Sequence, residues 1–195
     1  VLVPGALDHL DRIAGKHPGL KLVIDHVGIS VRGKAPKVFD DLPAVCALAK
    51  HSNIAVKASG MPSLSAEPYP FRDLHAHIRT LVDAFGPRRV FWGTDLTRMP
   101  CTYYECITLF TEHLPWLKGE DLEWVMGRGV CEWLGWPLPR AMIKDDIEEV
   151  KLNWARAAQR ALAAGFEVLE VHGAHRGGEV QGHDDVDALH RDLLG

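Results

Sequence analysis

The sequence predicts an α/β protein in which parallel strands carry covering helices, built either as an open sheet or as part of an eight-unit barrel. Three observations lead there. Short apolar runs alternate with helix-periodic segments, the rhythm of a parallel sheet. The runs are continuously apolar rather than alternating, as expected of strands covered on both faces. Two of them end abruptly in a metal-capable side chain next to a glycine: Val23-Ile-Asp-His26-Val-Gly28 and Phe91-Trp-Gly-Thr-Asp95. A buried strand that delivers a His or an Asp at its C-terminal end is how a parallel α/β barrel assembles an active site.

The elements follow in order. Residues 6–17 place Leu7, Leu10 and Ile13 at helical spacing, and Pro18-Gly19 stops that helix. Residues 21–25 read as a buried strand and 30–37 as a polar loop. Residues 40–50 form a helix with Leu42, Val45, Cys46 and Ala49 on one face. Asn53 to Lys57 is a second strand, and 59–70, with three prolines, a loop. Residues 71–85 are a helix stopped by Gly86-Pro87, and Arg89 to Gly93 is a third strand. Helices at 102–114 and 119–134 precede a breaker-rich junction at 135–140. A long helix from about 144 to 164 has Asp145 and Asp146 in its first turn, which suits the helix dipole, and Gly165 caps it. Val168 to Val171 is a fourth strand, and 176–195 a polar tail expected to fray.

A length of 195 residues allows one domain with a real core, but not the roughly 250 residues of a complete eight-unit barrel. The net charge of −4 leaves no nucleic-acid footprint, and no apolar run is long enough to span a bilayer. The four scattered cysteines fit a reducing cytosol. The chain opens on Val-Leu-Val-Pro, so its first residue is expected not to be a natural start.

Several side chains could carry chemistry. His26 reads as a metal ligand or general base, or else as a hydrogen-bonded core histidine; Gly28 would let backbone approach a ligand. Asp95 follows an apolar run where a carboxylate must be paired, metal-bound or exposed, or else it caps the next segment. Lys57 could take a substrate carboxylate or simply be solvated. Arg98, three residues beyond Asp95, suits bidentate carboxylate recognition. His75 and His77 resemble a His-x-His ligand pair, but a helix points i and i+2 apart. His172 and His175 could converge beyond a strand end on one anion or carbonyl oxygen, or be ordinary loop histidines. His183 and Asp184, Asp185 and Asp187 belong to the polar tail.

Residues 1–137 resemble the C-terminal half of an amidohydrolase-superfamily enzyme, in the branch of small lactonases and decarboxylases. The carrying segments are Lys21-Leu-Val-Ile-Asp-His26-Val-Gly28, Asn53-Ile-Ala-Val-Lys-Ala-Ser59, Phe85-Gly-Pro-Arg-Arg-Val-Phe-Trp-Gly-Thr-Asp95 and Met126-Gly-Arg-Gly-Val-Cys-Glu-Trp-Leu-Gly135. The resemblance implies a partial (β/α)8 TIM barrel of about four parallel strands with covering helices. It implies that His26 helps bind a divalent metal, zinc first, or the substrate. It makes Asp95 the general base on the attacking water, touching the metal, in hydrolysis of a lactone, ester or amide or a related decarboxylation. The substrate would be a small carboxylate or lactone. No His-x-His pair precedes His26, so the first half of the barrel is expected to be missing, and a homo-oligomer to complete it.

Residues 138–175 resemble a helix-strand unit of the old yellow enzyme family, on Pro139-Arg-Ala-Met-Ile-Lys-Asp-Asp-Ile-Glu-Glu-Val150, Ala157-Ala-Gln-Arg-Ala-Leu-Ala-Ala-Gly-Phe166 and Val168-Leu-Glu-Val-His-Gly-Ala-His175. That resemblance implies FMN as cofactor and NAD(P)H-dependent reduction, with His172 and His175 holding the substrate carbonyl. A non-catalytic half-barrel is the third expectation.

Overall fold

The computed structural model describes residues 5–30, 32–140 and 142–166. The expected fourth strand, His172, His175 and the polar tail lie outside the described residues. The chain divides into two units, Val1–Leu138 and Pro139–Gly195.

In the first unit α1 (Leu7–Lys16) leads into β1 (Leu22–Ile24). Then come α2 (Leu42–Ala47), extended by a 3-10 turn at Leu48–Lys50, and β2 (Ile54–Ser59). α3 (Arg72–Phe85) precedes β3 (Val90–Gly93). The unit closes through α4 (Tyr103–Thr111), α5 (Gly119–Glu123), a π turn at Trp124–Arg128 and α6 (Gly129–Leu134). The three strands form a parallel sheet in the order β1-β2-β3. Ile24 pairs with Val56 and Val56 with Val90, and all three are fully buried. With Val45 of α2 and Leu74, Ile78 and Leu81 of α3 they form the core between sheet and helices. Fully burying each such side chain contributes about 1.5–3 kcal/mol.

Two polar side chains fix the connections. The Asn53 amide donates to the carbonyls of His17 at 3.0 Å and Leu20 at 2.9 Å, tying the end of α1 to the entry of β2. The Arg89 guanidinium donates to Phe85, His51, Ile54 and Ala49 carbonyls at 2.7–3.1 Å. One side chain thus gathers the end of α3, the 3-10 turn after α2 and the start of β2.

The expected elements differ from those observed in three places. The segment 59–70 holds a buried 3-10 turn, Met61–Leu64, because left-handed Gly60 turns the chain and Pro62 pre-sets its first residues. The helix expected over 119–134 is broken into three by Gly127, whose backbone leaves the helical region. His26 does not end a strand: β1 stops at Ile24, and His26, Val27 and Gly28 form a left-handed turn with φ of 49°, 60° and 71°.

The second unit shows α7 (Lys144–Ala163). Asp146 in its first turn accepts from the Ile143 backbone N–H at 2.8 Å and from the Arg140 guanidinium, so its start is capped from within. No helix among the described residues is long and apolar enough to cross a membrane.

Candidate active site

The C-terminal ends of the three strands bring His26, Ser59 and Asp95 together. His26 follows β1; its Nδ1 lies 3.0 Å from Ser59 Oγ at the end of β2, and its Nε2 lies 3.8 Å from Asp95 Oδ2 beyond β3. The His26 and Asp95 side chains are 21% and 28% exposed, so a small molecule can reach both. Ser59 is 2% exposed. Arg98 Nη1 also stands 3.8 Å from Asp95 Oδ2. The carboxylate therefore sits between an imidazole and a guanidinium.

The local backbone explains how these groups meet. Asp95 is left-handed (φ 59°, ψ 54°) and opens a 3-10 turn, Leu96–Arg98. Its side chain makes no capping hydrogen bond, so the cap reading fails and the carboxylate is left to face His26. Gly60 is left-handed too (φ 74°), and a Cβ there would stand 3.5 Å from His26 Nδ1. Gly28 is required by packing: a Cβ on it would meet Ile24 Cγ2 at 2.8 Å, inside the core.

Lys57 joins the neighbourhood by a different contact. Its ammonium bonds Asp25 Oδ1 at 2.8 Å. Burial pushes the Asp25 carboxyl up, but the hydrogen bond from Lys57 helps pull it well below the usual carboxylate range. His75 and His77 part as helical spacing requires. The His75 Nε2 bonds the Pro70 carbonyl at 2.8 Å, and His77 stacks on Phe39 at 4.0 Å. Burial lowers the His77 imidazole pKa.

Ser59 and Gly60, which the sequence does not single out, stand beside His26. Strand alternation puts Ser59 on the same face as Lys57, which is the signal that could have found it. Its contact with His26, 33 residues away, needs the register of the sheet. A cleft of about 630 Å³ lined by Lys21, Arg88, Trp124 and Trp133 flanks the opposite ends of β1 and β3, away from this cluster.

A catalytic zinc takes three protein ligands and leaves one position for water. His26 and Asp95 supply two donors, and no group of three or more such side chains that could hold a metal occurs among the described residues. The described residues alone do not fit the ion.

Parallel strands with covering helices, gathering a histidine, a serine and an aspartate at or just beyond their C-terminal ends, are the architecture of a (β/α) barrel. The family model described as amidohydrolase matches residues 3–148, three quarters of the sequence, and the chain belongs to that family. Over 100 residues it is 33% identical to an L-fucono-1,5-lactonase from Burkholderia ambifaria, covering 49% of this chain and 32% of the lactonase. A zinc-bound crystal structure of an amidohydrolase from Burkholderia multivorans shares the fold at a TM-score of 0.57 and 20% identity, covering 68% of this chain and 50% of that one. A stretch of 39 residues is 54% identical to an NADH:flavin oxidoreductase from Gibberella zeae, covering 20% of this chain and 9% of the oxidoreductase. The chain thus spans half or less of the length of each of these relatives.

Proposed function

We propose that this chain forms part of a hydrolase site that opens a lactone or a related carboxylic ester or amide by attack of water. The observation that carries the reading is the approach of His26 Nε2 to Asp95 Oδ2, 3.8 Å, at the strand ends of an amidohydrolase-family sheet. That spacing leaves room for a water or a carbonyl oxygen in reach of both. Asp95 accepts the proton of the attacking water. His26 donates to the oxygen on which charge develops. Arg98 and Lys57 hold a carboxylate of the substrate; Lys57 would first have to release Asp25.

A divalent metal, zinc by analogy with the Burkholderia multivorans structure, would polarise the carbonyl or activate water. We propose that Asp95 and His26 would be two of its ligands, His26 through an Nε2 that then carries no proton, so that the metal would replace the imidazole N–H at the carbonyl oxygen; the other ligands would come from a second copy of the chain or a further segment. The compartment we assign is the cytosol. The flavin reading attaches to His172 and His175, outside the described residues, and no described side chain favours it.

The test is hydrolysis of a panel of sugar lactones and small carboxylic esters, with and without added zinc. The expected result is weak turnover, raised by zinc and abolished in Asp95→Asn. Robust turnover that survives Asp95→Asn overturns the proposal.

A further inference from the structure

Ser59 is the one side chain of the cluster to which the hydrolytic reading gives no part, and its surroundings are specific. It is 2% exposed, stands at the end of β2, and its hydroxyl meets His26 Nδ1 at 3.0 Å. The sheet register sets it beside Gly93. A Cβ at Gly93 would lie 3.1 Å from Ser59 Cβ, so the glycine of Phe91-Trp-Gly-Thr-Asp95 leaves the serine its place.

Ser59, His26 and Asp95 superficially form a nucleophilic triad, but two facts oppose that reading. In such a triad the serine bonds Nε2 and the aspartate Nδ1; here the nitrogens are exchanged. A hydroxyl this buried also offers no path for a carbonyl carbon. The hydrogen-bond chemistry points elsewhere. An ionised carboxylate only accepts, so Asp95 favours a proton on Nε2. In a neutral ring Nδ1 is then the acceptor, and a serine hydroxyl, which can donate or accept, must donate.

We infer that Ser59 is the positioning residue of this site: in the metal-free chain its hydroxyl donates to His26 Nδ1, holds the ring as the Nε2–H tautomer and turns that N–H toward Asp95. The inference deepens the hydrolytic reading, because it specifies the proton that His26 offers to a developing oxyanion. Groups that fix the tautomer of a functional histidine act through its second nitrogen in this way.

The experiment is two-bond proton–nitrogen NMR on the ¹⁵N-histidine-labelled full chain, freed of metal by a chelator, at a pH where the His26 ring is neutral. His26→Gln assigns the resonances. The wild type is expected to carry its proton on Nε2, with the Nδ1 resonance displaced by an accepted hydrogen bond. Ser59→Thr is expected to keep that displacement and Ser59→Ala to lose it. A wild-type ring protonated on Nδ1 overturns the inference without recourse to any variant, as does a folded Ser59→Ala with an unmoved Nδ1 resonance. Hydrolysis is not read here, so failure of the hydrolase proposal and failure of this one are separate results.

Discussion

At the scale of single residues the molecule concentrates cost and purpose in few side chains. Arg89 supplies four carbonyls with charge-assisted hydrogen bonds. Leaving buried acceptors unmet costs about 1–3 kcal/mol each, so Arg89→Leu is expected to lower stability by at least about 3 kcal/mol in urea unfolding. Arg89→Lys, lacking the planar fork, recovers only part. Cys101 gives a pH signature. Burial first, then the neighbouring Cys106 sulfur 3.5 Å away, raises its thiol to about 12. A raised folded value means that the neutral thiol stabilises the native state fully below the unfolded value of about 8.5, and that this is lost as pH rises toward 12. The melting temperature is therefore expected to fall between pH 8.5 and 11, and less steeply in Cys101→Ala. Iodoacetamide labelling of Cys101 near pH 7.5 should also be slower than that of a solvated cysteine.

At the scale of elements, local sequence chemistry and long-range packing divide the work. α4 starts with a complete capping box: Glu105 N–H donates to Thr102 Oγ1 at 3.2 Å, and the Thr102 N–H donates to Glu105 Oε2 at 2.8 Å. Thr102→Ala is expected to cost about 1 kcal/mol by thermal unfolding. Gly28→Ala combines an unfavourable φ with a 2.8 Å approach to Ile24 Cγ2, and should destabilise more than Thr102→Ala does. The three strands and the main helices were legible because each apolar run or periodic face is a local pattern. The turn that carries His26 was not, because left-handed conformations at His26 and Val27 contradict their intrinsic preference and are imposed by packing. Asp95 and His26 were legible as chemically costly residues after apolar runs. Ser59 was not, since only the sheet register brings it to the imidazole. The broken helix at Gly127 was obscured by a hydrophobic periodicity that continues through it.

At the scale of the whole molecule, the described sheet presents its candidate site with two metal donors where a catalytic zinc needs three. If a second copy supplies the remainder, sedimentation velocity should find a species of more than one chain. Dilution to monomer should then remove zinc-stimulated turnover before it unfolds the protein. The left-handed residues of the site bear on how this chain would evolve. His26, Val27 and Asp95 all hold positive φ. Such conformations at non-glycine residues cost on the order of 1–3 kcal/mol each and persist because the surrounding fold enforces them. Val27 is buried in the core and Asp95 is not, so a selection for heat resistance alone, blind to turnover, would accept a glycine at Asp95. Asp95→Gly is expected to keep or raise the melting temperature while erasing hydrolysis. Laboratory lineages bred for robustness would drift toward well-behaved, inert descendants.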